Sequence, residues 1–198
     1  MPGTDADVID TLAGIAPGSP LDAIRNGRPQ ARLHAQATYD SLFASLSEAD
    51  ADRRERFAIA CFVAWLHDQP EIAHFYEKGL GANPALQEAI RTAAATARTE
   101  GPYGHYPKGP LSAEDQPGPV HRIARLPREV LGERLTAAFE HTHLLVLHPR
   151  DSAPAYLQAL VDAGWSTTGI VVISQLVAFL SYQIRVVAGL RVLNARPA

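Results

Sequence analysis

Cysteine is nearly absent from this chain. A single cysteine, Cys61, excludes an intrachain disulfide and any chemistry that needs a pair of thiols in one chain. A large excess of one charge sign is missing as well. With 18 basic and 21 acidic residues the formal net charge is −3, so no overall cationic excess draws the protein to a phosphate backbone or an anionic bilayer, and neither nucleic acid nor membrane is expected as a partner. The first ten residues, MPGTDADVID, lack the basic start and apolar run of a secretory leader, and a cytoplasmic location is the expectation. Strand signals are missing too, since no segment alternates apolar and polar residues and hairpin dipeptides are few.

A chain of 198 residues with 46% hydrophobic and 20% charged content is long enough to bury a substantial core and short enough for one domain, here 1–198. What fills it is helical periodicity punctuated by proline and glycine, and the fold class is read as all-α. Helices are expected over 1–50, as a core pair over about 52–79, and over about 127–193. Ser19, Pro20 and Asp22 open a short helix that should end near Gly27. From Asp52 onward two apolar faces interleave, as in a helix covered by neighbours on all sides. That helix should stop at His67, because Pro70 disfavours helical geometry at Gln69. Asp68 and Glu71 then carry the spacing of a capping box for a helix over about 69–79. Residues 99–120, TEGPYGHYPKGPLSAEDQPGPV, are dense in proline and glycine and form a long loop fit to cover a pocket or reach a neighbouring subunit. Ser166 is a good N-cap for a final apolar helix. Its most hydrophobic part, 170–190, carries Gln175, Gln183 and Arg185, and is read as a buried helix rather than a bilayer span.

The stretch RRERFAIACFVAWLHDQPEIAH, residues 53 to 74, resembles the core of the alkylhydroperoxidase-D-like and carboxymuconolactone decarboxylase family. Redox members of that family carry a glutamate, eleven residues, Cys-x-x-Cys, three residues and a histidine. Glu55 falls on the glutamate, His67 and Pro70 on the two cysteines, and His74 on the histidine. The segment 147–190 also looks like the closing helices of the peroxidase-related branch. The resemblance implies an all-helical, multi-helix bundle that assembles into homo-oligomers, and an antioxidant or peroxidase-related role. The missing thiols exclude the family's dithiol peroxide reduction, since histidine at position 67 can form neither a sulfenic acid nor a disulfide.

Three functions stay open on the sequence. One is the peroxidase-related role, which would have to use Cys61, a residue placed by its neighbours in an apolar helix body where a thiol reacts poorly. Another is cofactor-free acid/base chemistry on a small carboxylate or lactone, as the resemblance to the decarboxylase branch implies, with Glu55, His67 and His74 as catalytic residues and Arg185 and Tyr182 binding substrate. The last is a non-catalytic binding or scaffold protein in which Glu55 pairs with Arg53, Arg56 or Arg185 and the histidines only pack. No metal or cofactor is expected, because His141, His143 and His148 in HTHLLVLHPRD lack the helical spacing of a ligand set and read as a helix end favourable to cations. His34, and His105 between Tyr103 and Tyr106, carry weaker signals still.

Overall fold

A computed structural model describes residues 7–44, 48–101 and 103–195. Six of the ten residues read for a leader, and Pro102 of the long loop, lie outside the described residues. Within these the protein is all-α, as the sequence implies, with nine α-helices, no strand, and one isolated antiparallel bridge between Gly104 and Gln116. The chain divides into two compact units, Met1–Leu46 with Phe179–Ala198, and Ser47–Ala178.

The first unit holds α1 (Val8–Ala13), α2 (Pro20–Asn26), α3 (Pro29–Phe43) and the second half of α9 (Thr167–Asn194). Ser19 caps α2 as its sequence signature predicts, its hydroxyl accepting from the Asp22 N–H at 3.2 Å. Two arginines bind the short helices together. Arg25 donates to Asp10 at 2.8 Å and to Asp7 at 2.7 Å, while Arg32 reaches Asp10 and Asp22. Burial, reinforced by the neighbouring Asp7 charge, pushes the Asp10 carboxyl up despite these partners.

The second unit is organised around α4 (Arg53–Leu66), which packs against α5 (Pro70–Glu77), α6 (Pro84–Ala97) and α7 (Arg125–Leu147). The interleaved apolar faces have this cause: residues 57 to 64 of α4 are all buried, and Phe62 stacks on Phe139 of α7 with ring centroids 4.3 Å apart. Gly132 breaks α7 with φ 76°, so the helix is two pieces joined at a kink. A 3-10 turn (Pro149–Asp151) and α8 (Pro154–Asp162) follow, and Ser166 then accepts from the Gly169 N–H at 2.9 Å to start α9.

One capping expectation is corrected. Asp68 is not the N-cap of α5; Gln69 is, without a side-chain cap, and Asp68 sits at φ 55° with its carboxylate 2.8 Å from Arg98. Pro70 holds Gln69 extended, at φ −117°, which moves the helix start one residue past the Asp-x-x-Glu register. The same spacing sixteen residues earlier forms the box instead, with Asp52 and Glu55 at the start of α4.

By length and composition α9 could cross a bilayer, and 44% of its most apolar window is buried inside the protein. Arg185 on this helix is exposed and donates to the Ser181 carbonyl at 3.1 Å, one turn back on its own helix.

Candidate functional site

The residues marked by the family spacing do not form one site. Glu55 and His67 stand at opposite ends of α4, about 18 Å apart at 1.5 Å rise per residue. Both Glu55 oxygens are engaged. Oε2 accepts from the Asp52 N–H at 2.9 Å to close the capping box, and Oε1 accepts from Arg134 Nε at 2.5 Å. Arg134 also donates to the carbonyls of Gly164 and Asp50 and lies over the Trp165 ring at 3.8 Å. The guanidinium bonded to Glu55 is that of Arg134 on α7. His67 terminates α4 as its C-cap. His74 is exposed on α5, edge-on to Trp65 with centroids 5.5 Å apart and 3.8 Å from Glu77. Tyr182 is 43% exposed and Gln183 fully buried on α9. Cys61 has no solvent exposure and its Sγ lies 3.8 Å from the Ala73 carbonyl; burial first, and the Glu77 charge second, push the thiol up well above its usual range.

What the structure does bring together is the set with the weakest sequence signals. The 3-10 turn places His148 and Asp151, three residues apart, on one side, since positions i and i+3 eclipse in such a turn. His148 Nδ1 is 3.1 Å from Asp151 Oδ2. From the long loop, His105 reaches the other oxygen twice, through Nδ1 at 2.9 Å and its backbone N–H at 3.0 Å. A carboxylate only accepts, so both imidazoles carry their proton on Nδ1. Burial would raise the Asp151 carboxyl, but the bonds from His105 and His148 outweigh it and hold the group below the usual carboxylate range. The hydrogen bond to Asp151 in turn raises His105.

Two glycines permit this approach. Gly104 adopts φ +112°, and a Cβ there would stand 3.1 Å from the Arg150 side chain. At Gly118 a Cβ would fall 2.4 Å from the His148 ring. Arg150 reinforces the seam by donating to the Tyr103 carbonyl at 2.9 Å and lying over the Tyr106 ring at 3.7 Å. An open cleft of about 400 Å³ is lined by His105, Pro117 and Gly118 of the loop and by His148, Arg150, Asp151, Ser152 and Tyr156 of the body.

Behind the cleft lie more imidazoles. His143 sits between His148 and His121, with ring centroids 5.8 Å and 4.9 Å away, and its Nε2 donates to the Ala97 carbonyl at 3.1 Å. Burial, with the neighbouring His121 and His148, lowers His143 to about 4. His141 and His121 are lowered too, burial being the first cause in each. At this helix end, 141–148, His141 and His143 are thus disfavoured as cations. Its histidines are 2% to 4% exposed because α7 is packed by α4, α6 and α8. Among the described residues no three His, Cys, Asp or Glu side chains are arranged to hold a metal ion.

Sequence reasoning passed over Asp151, Arg134 and His121. The His-Pro-Arg-Asp order was a usable signal for Asp151, because proline favours a tight turn that returns the carboxylate to the histidine. Comparison with known proteins yields no match to a family model, a curated protein or a solved structure.

Proposed function

We propose that the chain is an alkylhydroperoxidase-D-like protein that acts by cofactor-free proton transfer on a small carboxylate or lactone, at a site other than the family's relay positions, and not by peroxide reduction. The observation that carries the acid/base half is Asp151 held between His105 and His148 at an open cleft, an orienting carboxylate with imidazoles at hydrogen-bond distance. The family half rests on the spacing of Glu55, His67, Pro70 and His74 within an all-helical chain. A cytoplasmic homo-oligomer belongs to the same proposal. Sealing of Cys61 speaks against an antioxidant role through that thiol.

A second function, as a binding subunit without catalysis, is favoured by one observation: Glu55, the position of the family's relay carboxylate, is bonded to Arg134 and to its own helix start. The two functions separate in one experiment. Small carboxylates and lactones are incubated in D2O with wild type, Asp151→Asn and Cys61→Ala, and deuterium uptake and product are followed by NMR. Acid/base function predicts turnover that falls about 10²- to 10⁴-fold in Asp151→Asn and persists in Cys61→Ala. Absence of turnover with every compound leaves the binding function, and turnover in Asp151→Asn at the wild-type rate removes this cleft as the seat of the chemistry.

A further inference from the structure

The two imidazoles on Asp151 are not equivalent. His148 is 2% exposed, its Nε2 touches neither solvent nor a hydrogen-bond partner, and the Gly118 backbone lies against its ring. The His105 side chain is 61% exposed and lines the cleft, and with Nδ1 on Asp151 its Nε2 has no protein hydrogen bond among the described residues. The two groups also belong to different parts of the unit. His105 comes from the loop, while Asp151 and His148 come from the turn that ends α7.

The loop is braced by two bonds within itself and fastened to the body at one further point, Arg150. Gly104 and Gln116 bridge at 2.6 Å, the Tyr106 N–H donates to Asp115 at 2.7 Å, and Arg150 holds Tyr103 and Tyr106. The charged groups facing His105 are Asp151 and Arg150 from the body and Asp115 from the loop itself.

We infer that His105 is the proton-transferring residue of the cleft, that residues 103–120 are a lid delivering it to Asp151, and that His148 is a positioning residue acting through that carboxylate. The inference rests on acid/base function for the cleft and names the group that performs it. A proton leaves a carbon of the ligand for His105 Nε2, and the electron pair stays on the ligand, delocalised into its carbonyl. The imidazolium keeps its Nδ1–H on Asp151 and returns the Nε2 proton in the second half of the reaction. Lifting the lid removes His105 from its carboxylate, so the oriented base exists only while the loop rests on the turn that carries Asp151.

Imidazole NMR titration of the full chain tests the geometry without any ligand. His105 should titrate above its ordinary 6.5 and, when neutral, carry its proton on Nδ1. In Asp151→Asn the pKa should return toward 6.5. In His148→Gln the neutral ring should shift toward the Nε2–H form as Asp151 loses its second anchor. Diethylpyrocarbonate, mapped by mass spectrometry, should modify His105 and spare His148. A His105 that titrates at or below 6.5 in wild type, or a His148 modified as fast as His105, would falsify the assignment.

Turnover then separates this inference from the function it rests on. On any compound processed by wild type, His105→Gln should lose at least about 100-fold, while His148→Gln should lose less and move the pH profile. Full activity in His105→Gln with loss in His148→Gln overturns the assignment and leaves acid/base function standing. NMR results as expected, with no compound processed, count against acid/base function and leave the lid and its anchoring in place.

Discussion

At Glu55 the same carboxylate that the family spacing marks as a relay has two structural partners. The capping box satisfies the Asp52 N–H, one of the donors a helix start leaves open, and glutamine can serve that position as well. The bond to Arg134 needs the charge. Glu55→Gln therefore isolates the ion pair, and urea denaturation should show a loss of about 1–2 kcal/mol, trimmed by screening because the Arg134 side chain is 35% exposed. Glu55→Ala removes the cap also and should cost about 1 kcal/mol more. A cycle with Arg134→Met should recover most of the first loss as coupling between the two residues. A catalytic Glu55 would behave in the opposite way, with stability unchanged and turnover abolished.

The long loop is the element on which the candidate site depends. A methyl group at Gly118 cannot fit beside the His148 ring without moving one of them, since its carbon would lie 2.4 Å from Cγ. Gly118→Ala should raise amide exchange at 104–106 and at 116 by about 10- to 100-fold, leaving amides of α4 and α6 at wild-type protection. Uniform loss of protection would show that the loop is part of the core instead. Helix boundaries were legible where a local residue sets them, as Ser19 with Pro20 and Ser166 do. The Asp68 box was misread because Asp-x-x-Glu occurs twice, and only the proline beside the second copy decides that it fails. The loop itself was legible from its composition. Its partner was not, because His105 and Asp151 are 46 residues apart and nothing local specifies their meeting. Likewise, the burial of His141, His143 and His148 depends on how many helices pack against α7, which spacing along one helix does not encode.

For the whole molecule the histidines predict the pH dependence of stability. His143 titrates near 6.5 when unfolded and at about 4 when folded, so between these values the unfolded chain binds more protons. Stability is full above pH 6.5 and falls as pH drops toward 4, by up to roughly 3 kcal/mol from this residue at 1.36 kcal/mol per unit. His141 and His121, also lowered, act with the same sign. Asp151, lowered, contributes stability above its unfolded pKa that is lost as pH falls through its folded value, at more acidic pH. His105 acts oppositely, because its folded pKa is raised: its contribution is complete below about 6.5 and disappears as pH rises through the folded value. That group is on an exposed loop, so it governs the closing of the lid rather than the unfolding of the core. Urea unfolding between pH 7.5 and 4.5 should therefore show a steep acid-side loss. His143→Gln keeps a donor for the Ala97 carbonyl and cannot titrate, and it should flatten that slope by about one proton's worth. His105→Gln should leave the slope intact while removing the pH dependence of the protection of amides 104–106 relative to their intrinsic exchange rates. A slope unchanged in His143→Gln would mean that His143 does not carry the acid transition, leaving it to His141, His121 or the carboxylates.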